Sequence, residues 1–123
     1  MSNNRKRIII VDDEPDFRDM LTILLSNEGF EIETAEDGSD FLEKVDSFNP
    51  VLVILDVMMP GLTTKEILKK LKEKRSNPKI ILLTVVRYSK KEQKKLFKMP
   101  NIIAYIKKPY DINDFLESVK KHV

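Results

Sequence analysis

The stretch Val51-Leu52-Val53-Ile54-Leu55-Asp56-Val57-Met58-Met59-Pro60-Gly61 decides the fold. Its first five residues are apolar without a break, so the strand they form has no polar face. That is the pattern of a central parallel strand covered on both sides by helices. The run ends on a carboxylate followed closely by Pro-Gly, which turns the chain away from the sheet. Upstream, Ile8-Ile9-Ile10-Val11 has the same two-sided character, and so does Ile80-Ile81-Leu82-Leu83 downstream.

Five strands are predicted, at residues 7–11, 30–35, 51–55, 79–84 and 102–107. In the second, Phe30, Ile32 and Thr34 alternate with Glu31 and Glu33, as on an edge strand with one wet face. Between the strands run helical stripes. Phe17, Met20, Leu21 and Leu24 follow Pro15, which suits a helix start, and Phe41, Leu42, Val45 and Phe48 form the second stripe. Ile67, Leu68 and Leu71 form the third, and Ile112, Phe115, Leu116, Val119 and Val123 the last. The fourth segment, 89–98, offers only Leu96 and Phe97 among six charged residues, so a weakly docked helix that Pro100 stops is expected there. Five βα units with an edge-like second strand predict an α/β fold of flavodoxin-like (βα)5 type. Its doubly wound five-stranded parallel sheet takes the order 2-1-3-4-5.

The chain has 123 residues, 41% hydrophobic and 34% charged, which suits one domain with a real core. No apolar run approaches the roughly 20 residues of a membrane span, and the run after the basic start is too short for a signal peptide, so a cytoplasmic protein is expected. No Gly/Ser/Pro-rich linker appears, and a single domain over 1–123 without an output domain is expected. Cysteine is absent, which excludes disulfides, thiolate metal sites and cysteine nucleophiles. The lone histidine, His122, reads as a solvated surface group. Beneath a net charge of +2 lies an asymmetry: residues 1–61 hold 5 basic and 14 acidic side chains, residues 62–123 hold 17 and 6. Such a division can attract a cation on one side and an acidic partner on the other, or can simply reflect lysine-rich solvated helices.

In a sheet of this order ligands lie beyond the carboxyl ends of the first and third strands, where the strand order reverses. Strand one runs into Asp12-Asp13-Glu14-Pro15 and strand three into Asp56, so three carboxylates converge. Mg2+ takes about six oxygen ligands, typically one or two carboxylates with waters and phosphate oxygens. Read separately, Asp12 or Asp13 could cap the first helix and Asp56 could merely open a loop. Together at one switch point they form a cluster of like charge that calls for a shared cation or proton. Strand four ends on Thr84, whose hydroxyl can bond an oxyanion, and strand five leads through Tyr105 to Lys108-Pro109, which brings an ammonium to the same edge.

The set Asp12-Asp13, Asp56 with Met59-Pro60-Gly61, Thr84, Tyr105 and Lys108-Pro109 resembles the receiver-domain signature of two-component response regulators, stand-alone and chemotaxis-regulator-like. The resemblance spans essentially the whole chain. It implies that Asp56 is the phosphoacceptor, that Asp12, Asp13, Asp56 and the backbone carbonyl of Met58 hold Mg2+, and that Lys108 clamps the phosphoryl group. Thr84 and Tyr105 become the switch pair, and a cis bond is implied between Lys108 and Pro109. The implied activity is self-phosphotransfer from a sensor histidine kinase and self-dephosphorylation, without turnover of external substrates. The implied partner surface is the basic face of the fourth helix, fifth strand and final helix. The residues leave open whether phosphorylation promotes a dimer.

The sequence departs from that family's usual pattern in two places. Val85 follows Thr84 where Ala or Gly is usual, which narrows access and is expected to lengthen the life of an acyl phosphate. Met99-Pro100-Asn101-Ile102-Ile103-Ala104 stands where a Gly-Ala pair often precedes the switch tyrosine. Both bear on how far Tyr105 moves rather than on whether Asp56 is modified. Three alternatives are weaker. A phosphorylation-independent pseudo-receiver conflicts with the complete acidic set and Lys108. A phosphatase of the haloacid-dehalogenase type needs an Asp where Met58 stands, and a nucleotide-binding domain needs a glycine-rich loop that three glycines do not make. The lysine-rich segments carry compensating Glu66, Glu73 and Glu92, so an acidic protein is favoured over nucleic acid as the partner.

Overall fold

The structure is a computed structural model and describes residues 5–99 and 101–123. Pro100, expected to stop the fourth helix, and the first four residues of the basic start lie outside the described residues. The elements alternate as β1 (Arg7–Val11), α1 (Pro15–Asn27), β2 (Glu31–Ala35), α2 (Gly38–Phe48), β3 (Leu52–Asp56), α3 (Thr64–Glu73), β4 (Lys79–Thr84), α4 (Lys90–Leu96), β5 (Ile102–Lys107) and α5 (Ile112–His122). All pairings are parallel, in the order β2-β1-β3-β4-β5, as the sequence predicts.

Strand pleating distributes the apolar runs to two cores. Ile9, Val11, Val53, Leu55, Ile80 and Leu82 face α2, α3 and α4, where they meet Phe41, Val45, Ile67, Leu71 and Leu96. Ile8, Ile10, Leu52, Ile54, Ile81 and Leu83 face α1 and α5 and meet Leu21, Leu25, Phe115 and Val119. Each such buried side chain contributes about 1.5–3 kcal/mol of apolar transfer, which is why the sheet centre rather than any helix anchors the site.

Local chemistry sets the helix starts. Asp37, Thr63, Ser89 and Asp111 each accept a backbone N–H of the first turn with their side chains, and Thr63 and Ser89 form reciprocal capping boxes with Glu66 and Glu92. The first helix differs: its N-cap is Glu14, which makes no side-chain cap bond, and Pro15 occupies the opening position.

Several expectations are corrected at this level. β3 is shifted by one residue, so Asp56 is its last member, paired with Leu83, rather than the first residue of a loop. β2 begins at Glu31 rather than Phe30, and its residues are half-buried until Ala35. Met20 and Ile112, placed in apolar stripes, are 43% and 50% exposed, while Leu25, the residue just after the predicted stripe, is fully buried. α4 is shorter than 89–98: Ser89 is its N-cap, Phe97 its C-cap, and Leu96 is its one buried residue.

The segment before β5 is irregular in a specific way. Asn101 has a left-handed backbone (φ 80°), the conformation a glycine ordinarily supplies. Its amide nitrogen donates to Asn77 Oδ1 (2.7 Å) and to the Pro78 carbonyl (2.9 Å), which fixes the turn from the side-chain end. β5 then carries a bulge, with Ile80 opposite Ile102 but Ile81 opposite Ala104, so Ile103 is the extra residue.

Candidate functional site

Because the five strands run parallel, their carboxyl ends open on one edge, and the chain leaves neighbouring β1 and β3 toward opposite faces. The crevice so formed receives Asp12 (1% exposed) after β1 and Asp56 (5% exposed) as the last residue of β3, with Asp13 beside them in solvent. One carboxylate oxygen from each of the three lies within 4.8 Å of the others. Neither Asp12 nor Asp13 is the helix cap, since that position is Glu14.

The oxygens of the two buried carboxylates have separate surroundings. Asp12 Oδ1 accepts the Glu14 N–H (2.9 Å). Its Oδ2 is buried without a hydrogen-bond partner. Asp56 Oδ1 accepts the Met58 N–H (3.1 Å), while Oδ2 faces the Lys108 ammonium at 3.4 Å. Burial pushes the Asp12 carboxyl above the ordinary carboxylate value. The Glu14 N–H opposes that, the Asp56 charge adds to it, Lys108 opposes it and Asp13 adds a little more. Two buried carboxylates and a third at the rim, one with an orphaned oxygen, form a hard oxygen donor set. It fits a divalent cation such as Mg2+ that brings its own waters. The Met58 N–H bond fixes the turn in which the Met58 carbonyl, the fourth expected ligand, lies.

Lys108 is held on two sides. Its ammonium lies 3.9 Å from Asp12 Oδ2 as well as 3.4 Å from Asp56, and 4.7 Å from the centroid of the Phe17 ring. The Lys108 N–H donates to the Thr84 carbonyl (2.7 Å), so β4 and β5 deliver the lysine together, and the peptide bond to Pro109 is cis, as the resemblance implies.

Thr84 is fully buried at the end of β4, with its hydroxyl oxygen accepting the Val86 N–H (3.0 Å). Tyr105 is half-buried on the α4 side of the sheet, edge-on to Tyr88 (4.9 Å between centroids), with its hydroxyl 3.5 Å from Gln93 Nε2. Val85 is 54% exposed and borders, with Phe17, Met20, Lys108, Tyr110 and Ile112, an apolar groove of about 470 Å³ beside the lysine.

Three participants escaped the sequence reading. Phe17 was read only as part of a core stripe. Arg18 donates to the Asp12 carbonyl (2.6 Å), although nothing in its spacing marks it. Tyr110, immediately after Pro109, stacks on Phe115 (5.0 Å) and meets Phe17 edge-on (6.4 Å). Burial, with a smaller effect of the Asp12 charge, pushes its phenol up to about 12. An aromatic next to the Lys-Pro pair was the available signal.

A doubly wound α/β domain with an acidic crevice at its switch point and a lysine across from it defines a class of phosphotransfer switch proteins. Residues 8–120 match the response regulator receiver domain, and the chain belongs to that family of two-component signalling. Among its relatives, sporulation initiation phosphotransferase F of Bacillus subtilis is 31% identical over 118 residues, 96% of this chain and 94% of that protein. The DNA-binding response regulator MtrA of Mycolicibacterium smegmatis is 40% identical over 84 residues, 68% of this chain but only 36% of that protein. Among solved structures, the response regulator TrrA of Thermotoga maritima, in complex with Mg2+-BeF, superposes with a TM-score of 0.79 at 38% identity, covering 96% of this chain and 99% of that one. Chemotaxis protein CheY4 of Vibrio cholerae gives 0.84 at 25% identity, covering 97% and 99%. Among the described residues no helix is long and apolar enough to cross a membrane.

Proposed function

We propose that this receiver stores a signal as an acyl phosphate on Asp56, taken from the phosphohistidine of a sensor histidine kinase in a Mg2+-dependent step. The observation that carries the reading is the Lys108 ammonium, 3.4 Å from Asp56 Oδ2 and facing Asp12 across the same crevice. In the reaction an Asp56 carboxylate oxygen attacks phosphorus, the P–N bond to the imidazole breaks, and its electron pair stays on the ring nitrogen. Asp12, Asp13, Asp56 and the Met58 carbonyl are the residues that would hold Mg2+, whose chemistry is to neutralise charge on the transferring phosphoryl oxygens. Lys108 offsets the remaining charge as a point cation, held over Phe17 so that it needs little reorganisation. The Glu14 and Met58 N–H groups hold the two buried carboxylates in their rotamers.

The new phosphoryl charge at this site draws the Thr84 hydroxyl off the Val86 N–H and toward the phosphoryl oxygens. Tyr105 then turns from its contact with Tyr88 and Gln93, which alters the face of α4, β5 and α5. An acidic downstream protein fits that face, where Lys90, Lys94 and Lys98 border the exposed Phe97.

Intact mass after incubation with acetyl phosphate and Mg2+ tests the reading. A single phosphoryl adduct is expected in the wild type and none in Asp56→Asn. An absence of adduct with acetyl phosphate and with histidine kinases alike would turn the reading to a phosphorylation-independent binding module.

A further inference from the structure

Every helix after the first is fastened at its start by a capping side chain, whereas Glu14 gives α1 no such bond. At α1 an arginine does the fastening. Arg18, half-buried in that helix, donates from Nη1 to the Asp12 carbonyl at 2.6 Å. Its N–H donates to the Glu14 carbonyl (3.1 Å), and the Glu14 N–H donates to Asp12 Oδ1 (2.9 Å), so the three residues close a ring. On the other side, the Asp12 N–H reaches the Ala35 carbonyl of β2 (3.1 Å). The peptide group between Asp12 and Asp13 is planar, so holding its carbonyl also fixes the direction in which the Asp13 Cα leaves it. Asp13 depends on that direction more than its neighbours do. A backbone N–H holds each of the other two carboxylates, from Glu14 on Asp12 and from Met58 on Asp56, while among the described residues nothing bonds the Asp13 carboxylate. Arg18 in turn forms no ion pair with a carboxylate among the described residues, so its donor goes to the peptide and leaves the acidic cluster unpaired on that side.

We infer that Arg18 is a positioning residue for the metal site: by holding the Asp12 carbonyl it sets the Asp12–Asp13 peptide plane and so aims the Asp13 carboxylate at the ion. The inference rests on the Mg2+ reading given above. Arg18 itself touches neither the ion nor the phosphoryl group. Outer groups of this kind orient ligands they do not replace, and their removal typically weakens metal binding by roughly 10–100-fold. The charge of Arg18 acts in the opposite sense from its hydrogen bond. A cation beside the crevice repels Mg2+, so its removal would tighten binding if charge alone mattered, whereas release of the peptide plane loosens it. The two roles differ in sign.

The test is a Mg2+ titration followed by backbone amide NMR on the full chain, comparing wild type, Arg18→Met and Asp13→Asn. The expected result is a dissociation constant about tenfold weaker in Arg18→Met, with the Asp13 amide displaced by the substitution and the Leu55 and Phe115 amides unshifted. Asp13→Asn is expected to lose at least as much, since it removes the ligand itself, and binding like the wild type's in that variant would overturn the inference. Binding of Mg2+ by Arg18→Met as tightly as by the wild type, or more tightly, would overturn it and leave the metal site standing. A loss accompanied by shifts throughout β3 and α5 would assign the arginine to the fold as a whole and overturn it as well. A wild type whose amides at 12, 13 and 56 do not respond to Mg2+ would remove the metal reading and this inference with it. A second measurement needs no substitution and covers a variant that fails to fold. In wild-type protein carrying 15N-labelled arginine, rotation of the Arg18 guanidinium is expected to stay slow when Mg2+ saturates, and free rotation there would overturn the inference.

Discussion

The Lys108 ammonium stands 3.4 Å from Asp56 Oδ2, and the Phe17 ring backs it on the other side. In this arrangement the lysine offsets a like-charge cluster before any phosphoryl group arrives. Replacing it with an apolar side chain of similar length, Lys108→Met, removes that cation. The expected cost in Mg2+-free buffer is about 1–3 kcal/mol, and saturating Mg2+ is expected to recover most of it. Urea unfolding with and without Mg2+ measures both. An equal loss in the two buffers would mean that the stem packing, not the charge, was what mattered.

Asp12 gives a pH dependence with a definite sign. Its folded pKa is raised above the ordinary 3.8, chiefly by burial, so the folded state holds this proton more tightly than the unfolded one. Its contribution to stability is therefore complete below the unfolded value and is lost as pH rises through the folded value. In EDTA the wild type minus Asp12→Asn difference in unfolding free energy is expected to fall across that window. A difference that rises with pH would reverse the assignment.

Gly38 opens α2 beneath Ile67. A Cβ added there would come within 2.8 Å of Ile67 Cδ1, 2.9 Å of Cγ1 and 3.2 Å of Leu62 Cβ. Ile67 is 1% exposed and has no room to yield. Gly38→Ala is expected to lose about 1–3 kcal/mol by overpacking, against the usual gain of replacing a helical glycine. Thermal unfolding reads the outcome, and a rise in midpoint would show that α2 can move as a body.

Phe115 and Phe97 separate the anchored last helix from the loosely held fourth. Phe115→Ala is expected to cost about 3–5 kcal/mol, whereas Phe97→Ala, 42% exposed at the end of α4, should stay within about 0.5 kcal/mol. Amide exchange is expected to be faster in α4 than in α5, since Leu96 alone buries the shorter helix. Equal protection in the two would contradict the weak docking.

Val85→Ala is expected to shorten the lifetime of the acyl phosphate several-fold, as loss of two methyl groups opens the rim beside Lys108. Decay of the phosphoryl adduct by intact mass measures it. An unchanged half-life would mean that the 54% exposed side chain stands clear of the approach of water.

The sheet was legible in the sequence because three strands carry apolar residues on both faces, a pattern only central parallel strands need. The order followed from that and from the mixed second strand. Less legible was the end of β3, because a carboxylate after five apolar residues looks like a loop start, while its backbone still pairs with Leu83. Met20 and Ile112 misled for a related reason: periodicity marks the edge of a stripe but not whether a neighbour covers it. The site carboxylates and Lys108 could be found from strand ends alone. The ring under the lysine and the Tyr110 ring packed against it could not, because those contacts join α1 to the β5–α5 connection across the fold.

The extra residue in β5 determines which side of the sheet Tyr105 meets. Pleating alone, counted from Ile102 on the α4 side, would send residue 105 toward α1 and α5. With Ile103 inserted, Ile103 and Ala104 both pack on the α1–α5 core and Tyr105 falls on the side of α4. The insertion acts as a half-step in an otherwise strict two-beat rhythm, and it sets the side of the sheet on which the proposed switch tyrosine sits. Without that half-step, the aromatic would address the opposite face of the molecule.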